Sequence, residues 1–201
     1  MATITELSQL DLNGTYSYAD YLTWQLNERI ELIKGKVMLM SPAPNTQHQR
    51  ISSKLHLSIG YYLKDKKCEI FSAPFDVKLY NRSKSILTNK EVYNVVQPDL
   101  CVICDKTKIT HRGCDGAPEF IIEILSKGNS RREIEFKYQL YAENGVKEYW
   151  LIYPYEQSIN QFLLNEETNN YQLIAMYPDT GIISPVLFPE LQINLENIFA
   201  E

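Results

Sequence analysis

The chain of 201 residues is 44% hydrophobic and 22% charged, which gives it enough apolar material for a substantial core and argues against a disordered or fibrous protein. Twenty Lys and Arg against twenty-five Asp and Glu leave a formal net charge of −5, which excludes a globally basic surface for non-specific nucleic-acid binding but not a local basic patch. No apolar run approaches the roughly 18 to 20 residues of a membrane span, and the N-terminus MATITELSQLDLNG has neither a basic start nor an apolar stretch, so a soluble, cytoplasmic protein without membrane contact is expected.

Residues 1–15 read as an N-terminal extension and 16–201 as one domain, because no repeat, low-complexity tract or Gly/Pro cluster divides the chain. Ser17 can cap a short helix to about Leu26, with Tyr21, Leu22 and Trp24 on its partly apolar face. Ile30 to Met40 then reads as a β-hairpin turning at Lys34-Gly35-Lys36, and Ser41-Pro-Ala-Pro44 breaks its second strand. From Asn45 or Thr46 to about Lys66 the spacing of Ile51, Leu55, Ile59, Tyr62 and Leu63 predicts a long amphipathic helix with His48 and His56 on its polar face. Ile70 to Tyr80 alternates as a strand pair or one bent strand, Asn81 to Tyr93 is a polar loop, and Val95 to Cys104 is the next strand.

Glu119 to Leu125 is short and apolar enough for a central strand covered on both faces. Residues 131–144 place Ile134, Tyr138 and Tyr141 on one helical face before Gly145, and Glu148 to Tyr153 returns as a strand. Strand, helix, strand in this order predicts a βαβ crossover in a mixed sheet. Gln157 to Leu164 and Tyr171 to Tyr177 make a terminal hairpin, and Leu195 to Phe199 a last short helix. The fold class is therefore α/β of the α+β kind: a mixed central sheet flanked by helices, with β-hairpins in its N- and C-terminal parts.

Cys68, Cys101, Cys104 and Cys114 could form two disulfides or a zinc site by count. The run PDLCVIC over 98–104 is β-rich, however, and would aim positions 101 and 104 at opposite faces. Buried free thiols are the expectation.

Chemistry concentrates in two acids within or beside apolar strands, Asp99 after Pro98 and Glu123 inside Phe120-Ile-Ile-Glu-Ile-Leu. A carboxylate in a low-dielectric sheet costs several kcal/mol unless a cation or donors meet it. A hard divalent cation held by both acids would meet that need, with Mg²⁺ as the natural candidate; a Lys or Arg beside each acid, or water at a strand end, would meet it equally.

Pro98-Asp99, then Glu123-Ile-Leu-Ser126 24 positions on, Lys137, Tyr141 and Gly145-Val-Lys-Glu-Tyr-Trp-Leu-Ile152 follow in an order that resembles the Uma2-like restriction-endonuclease family of the PD-(D/E)XK nuclease superfamily. Glu31-Leu-Ile-Lys-Gly35, Ser41-Pro42 and His48 fit that family's N-terminal pattern, so the resemblance spans about residues 16–153. It implies a Mg²⁺-dependent (or Mn²⁺-dependent) endonuclease that hydrolyses DNA phosphodiester bonds with a metal-activated water, Asp99, Glu123 and the main-chain carbonyl of Ile124 holding the metal.

The superfamily Lys normally stands two residues after the Glu, where this chain has Leu125. Lys137 on the following helix matches the family's alternative source of that amine, and its other reading is a surface pair with Glu133 at i, i+4. Glu133 and Tyr153 stand where the pattern shows Asp. Glu31 is either a third acid of the site or a solvated strand residue beside Lys34 and Lys36; His48 is either a phosphate donor or a capping residue. Lys127, Arg131 and Arg132 read as contacts to nucleic-acid phosphates or as a solvated charge cluster. Tyr138, Tyr141 and Tyr149 fall at packing positions, and His111 has no partner pattern. Cutting both strands of DNA predicts a homodimer. Two other classes stay open: an inactive nuclease fold acting as a nucleic-acid or protein binding module, and an assembly protein that self-associates through its terminal hairpin and the apolar tail 182–199.

Overall fold

In the computed structural model, residues 3–40, 45–80 and 91–200 are described; Ser41-Pro-Ala-Pro44 and most of the polar loop expected over 81–93 lie outside them. Among the described residues, four α-helices, α1 (Tyr18–Tyr21), α2 (Thr46–Leu63), α3 (Arg131–Asn144) and α4 (Leu195–Phe199), accompany two six-stranded mixed sheets and one short strand pair. The first sheet holds β1 (Ile30–Ile33), β2 (Lys36–Leu39), β4 (Val77–Leu79), β5 (Asn94–Val96), β7 (Ile109–Thr110) and β8 (Gly113–Asp115) in the order β2-β1-β5-β4-β8-β7. The second holds β3 (Glu69–Ser72), β6 (Leu100–Ile103), β9 (Phe120–Ile124), β10 (Glu148–Tyr153), β11 (Ser158–Asn165) and β12 (Asn170–Tyr177) in the order β12-β11-β10-β9-β6-β3. The last pair is β13 (Ile182–Ile183) with β14 (Ile193–Asn194). The α+β class and its mixed sheet stand, with the sheet divided in two.

Every residue of β9 is buried because both faces of the second sheet are covered. One face, with Leu100, Ile122 and Trp150, packs against Ile51, Leu55 and Ile59 of α2 and the tail residues Ile183, Ile193, Ile198 and Phe199. Most of the apolar tail thus lies in the molecule's own core, with Ile182 and Val186 exposed. The other face, with Cys101, Ile121, Tyr149 and Leu151, packs against Leu140 and Tyr141 of α3 and against Val77, Leu79 and Val96 of the first sheet. The expected crossover is present, since β9 and β10 run parallel on either side of α3 in sequence. Ser130 caps α3 by accepting from Glu133 N at 3.1 Å, and Gly145 ends it in a left-handed conformation.

Several boundaries differ from the sequence reading for identifiable reasons. The helix begun at Ser17 stops at Tyr21. The first hairpin turns on Lys34 and Gly35 alone, both at positive φ, 51° and 75°, which suits a two-residue turn with glycine second. Val95 to Cys104 is two strands rather than one: Gln97-Pro98-Asp99 carries the chain out of the first sheet and into the second, where Pro98 has no N–H to offer a ladder. Residues 107–116 contain the small β7–β8 hairpin.

The four cysteines also divide. Cys68 and Cys104 form a disulfide, whereas Cys101 and Cys114 are free and buried. β3 pairs antiparallel with β6 through Glu69 and Ile103, which sets the next residues out, Cys68 and Cys104, across from each other. Cys101 lies in the opposite core layer, as the divergent faces of 101 and 104 require.

Candidate active site

β6 and β9 pair antiparallel with Leu100 opposite Ile122 and Cys101 opposite Ile121. One step further along that register sets Asp99 opposite Glu123, so the two acids of the sequence motif share one face at the end of the sheet. The Ile124 amide donates to Asp99 Oδ2 at 2.8 Å, which ties the first acid to the strand bearing the second. His48 lies in the first turn of α2, where Asn45 Oδ1 accepts from its main-chain N–H at 2.9 Å. Its Nε2 is 3.2 Å from the same Asp99 oxygen. His48 is only 6% exposed, so it belongs to the buried side of α2 rather than to the polar face expected for it, and its Nδ1 has no hydrogen-bond partner among the described residues.

Lys137 points from α3 into the same cleft. Its Nζ is 3.0 Å from Glu31 Oε1 and 3.1 Å from Glu123 Oε1, and Lys137, Glu31 and Glu123 are 8%, 3% and 8% exposed. The surface pairing with Glu133 does not occur; Glu133 accepts from Asn129 Nδ2 at 3.1 Å instead. Glu31 comes from β1 in the first sheet, is buried rather than solvated, and also accepts the Gln97 N–H at 2.8 Å. Lys127, Arg131 and Arg132 are exposed. The Lys127 ammonium stands 4.7 Å from the Tyr155 ring centroid, and the Arg132 guanidinium 5.1 Å from that of Phe136. Ser126, Asn129 and Glu133 contribute to the cleft wall itself.

Two contributors escape a sequence reading. Tyr141 donates to Glu123 Oε1 at 2.5 Å in addition to packing in the core, and its signal is its place four residues after Lys137 on one helix face. Gln97 braces Glu31 through its main chain and accepts from Arg29 Nη2 at 2.9 Å through its side chain; only its position just before Pro98-Asp99 marks it.

The electrostatics follow from burial. Glu123 is pushed up to about 7, chiefly by loss of solvent; Lys137 opposes that shift, and the charges of Asp99 and Glu31 add to it. Burial pulls Lys137 down, but Glu123 and Glu31 together outweigh burial and hold it above its ordinary value, so it remains a cation. His48 is likewise pulled down by burial and carried net upward by the hydrogen bond and charge of Asp99.

No group of three or more His, Cys, Asp or Glu side chains is gathered as a metal-binding cluster among the described residues. The donor chemistry nevertheless suits a hard cation that prefers oxygen. Among the described residues, the bonds to Glu123 fall on Oε1 and those to Asp99 on Oδ2, and the second oxygen of each carboxylate is the one to offer a ligand.

A solved structure described as a "putative nuclease belonging to DUF820", from Anabaena variabilis, is similar over 92% of this chain and 97% of that chain, with a TM-score of 0.67 and 21% identity. That is a likeness of fold. A search of curated proteins finds no match. No helix among the described residues is long and apolar enough to cross a membrane. The family model of Uma2, described as "putative restriction endonuclease", matches residues 18–196, which include all five of Glu31, His48, Asp99, Glu123 and Lys137. The chain belongs to the Uma2 family.

Proposed function

We propose that the protein is a divalent-metal-dependent endonuclease that hydrolyses DNA phosphodiester bonds in the cleft between its two sheets, and that it acts as a homodimer. The observation that carries this reading is the Lys137 ammonium, 3.1 Å from Glu123 although the chain has Leu125 where the amine is usually found. Asp99, Glu123 and the Ile124 carbonyl are the residues to hold Mg²⁺ or Mn²⁺. Bound there, the ion supplies Lewis acidity toward a phosphate oxygen and lowers the pKa of a water.

The remaining steps belong to side chains. Lys137 offers a fixed positive charge to the phosphate as negative charge builds on it, in a site dry enough to make that charge count. Glu31 holds the amine from the opposite sheet, so the cation stays aimed while the substrate changes shape. His48 fixes Asp99 through its Nε2, 3.2 Å from the carboxylate. Lys127, Arg131 and Arg132 line the approach as contacts to the nucleic-acid backbone.

Calorimetric titration of Mn²⁺ into wild type and Asp99→Ala tests the site without knowledge of its preferred sequence. Binding by the wild type that the variant loses, together with Mn²⁺-dependent nicking of supercoiled plasmid, is the expected result. A folded Asp99→Ala protein that binds Mn²⁺ and cuts as the wild type does would end the proposal.

A further inference from the structure

A second recess adjoins the acid cleft, and Gln97 stands in the wall of both. The acid cleft is the smaller, at about 80 Å³, and the recess is a more open hollow of about 540 Å³, of the size of small-molecule sites, roughly 300–1,000 Å³. Aromatic rings form one side. Tyr21 and Trp24, 6.0 Å apart, are the part-exposed rings; Tyr18 is buried behind Tyr21 and stacks on it at 5.7 Å, and Phe75, itself stacked on Phe71, completes the side.

A fixed acceptor lies among these rings. Asp76 Oδ1 accepts from Gln97 Nε2 at 2.9 Å and Oδ2 from the Tyr18 hydroxyl at 3.2 Å, and each carboxylate oxygen retains a second acceptor site. The backbone beside it is clamped: Cys114 N donates to Asp76 O at 2.7 Å, and a Cβ on Gly113 would come within 2.0 Å of that oxygen, so only glycine allows the approach. Arg112 is exposed at the rim.

We propose that this recess receives one unpaired nucleobase, flanking the phosphodiester that lies in the acid cleft, and that it favours bases carrying an exocyclic amino group. The position of the phosphodiester rests on the nuclease reading above. Aromatic faces accept the π-face of any base, which gives affinity without sequence. Asp76 adds the preference, because a carboxylate accepts freely from an exocyclic amino group such as cytosine N4, whereas thymine offers only its N3–H between two carbonyl oxygens that the carboxylate repels. A base stacked inside a duplex cannot enter, so the ligand is single-stranded or locally opened. Arg112 meets the adjoining backbone.

The chain has two tryptophans, Trp24 in the recess wall and Trp150 wholly buried in the core, so quenching by an oligonucleotide reports on Trp24. The probes are the single-stranded hexamers dC6 and dT6, titrated in EDTA so that no cleavage intervenes. Saturable quenching is expected, tighter for dC6 than for dT6. Tyr21→Leu should weaken dC6 on the order of tenfold through lost stacking, and Asp76→Asn should remove the preference between the hexamers. Arg112→Ala, at the exposed rim, should weaken both hexamers alike.

Absence of quenching, equal affinity for dC6 and dT6, or quenching that Tyr21→Leu and Arg112→Ala both leave unchanged would each overturn the base site. The two readings separate cleanly. Quenching with this pattern but no Mn²⁺-dependent plasmid cleavage removes the nuclease and keeps the base site; cleavage without quenching does the reverse.

Discussion

Replacing Lys137 with Met removes the cation that two buried acids share and keeps most of the side chain's volume. Glu31 and Glu123, 3% and 8% exposed, would then face each other without a counter-charge. Breaking a buried pair in this way typically costs about 3–5 kcal/mol, which for a chain of this size lowers Tm on the order of 10 °C. The cost depends on pH in a definite direction. Lys137 is the larger of the two influences holding Glu123 down, the Tyr141 hydrogen bond being the other, so without it the folded-state carboxyl rises above about 7 and takes up a proton more readily. A carboxyl raised in the folded state lends stability below its unfolded value near 4.5 and loses it as pH climbs through the folded value. Lys137→Met should therefore cost most at pH 8 and much less at pH 5. Mn²⁺ should stabilise the variant more than the wild type, because an ion can replace the missing charge between the acids. Urea unfolding of both proteins at pH 5, 6.5 and 8, with and without Mn²⁺, measures all three quantities. An equal loss at pH 5 and pH 8 would refute the account of a shared buried cation.

Tyr141→Phe deletes the 2.5 Å hydrogen bond that favours the ionised form of Glu123, so Mn²⁺ binding by calorimetry should weaken severalfold and its onset should move to higher pH. Glu148 is fully buried and accepts from Trp150 Nε1, Gln161 Nε2 and the amides of Val186 and Leu187 at 2.8–3.0 Å. Glu148→Gln should cost about 3 kcal/mol in urea unfolding, since it loses several charge-assisted bonds at once, while Mn²⁺ affinity stays at the wild-type value. Alkylation of denatured, unreduced protein followed by mass measurement should label Cys101 and Cys114 alone; four labels would contradict the Cys68–Cys104 bond.

What the sequence makes legible is what local pattern controls. Glu119 to Leu125 is continuously apolar but for one acid, and 131–144 has helical spacing closed by Gly145; β9, α3 and β10 follow directly. The acids of the candidate site are legible for the same reason, since a lone charge in an apolar strand demands a partner. Partner choice is where local pattern fails. Val95 to Cys104 reads as one strand because its residues favour extended backbone throughout, yet β5 pairs with β1 and β4 whereas β6 pairs with β3 and β9. Which sheet a segment joins depends on surfaces far away in sequence. The pairing of Cys68 with Cys104 and the contact of Lys137 with Glu31, 106 positions earlier in the chain, are hidden by the same dependence. Tyr141 shows the complementary difficulty, for a residue with core spacing can pack and hydrogen-bond at once.

Where an amine follows its acid by two residues, the pleat of one strand sets their separation and the rest of the chain can vary. Here the amine follows its acid by 14 positions, and its direction is set by the rotational phase of α3 counted from its Ser130 cap. One residue added to the turn before Ser130 can be absorbed as a wider loop. The same residue added between Ser130 and Lys137 rotates everything beyond it by about 100°, swinging the ammonium out of reach of both carboxylates. Length changes in this lineage should therefore be tolerated at 127–129 and purged from 131–136, a spacing rule that binds the helix even at positions whose side chains touch nothing in the site.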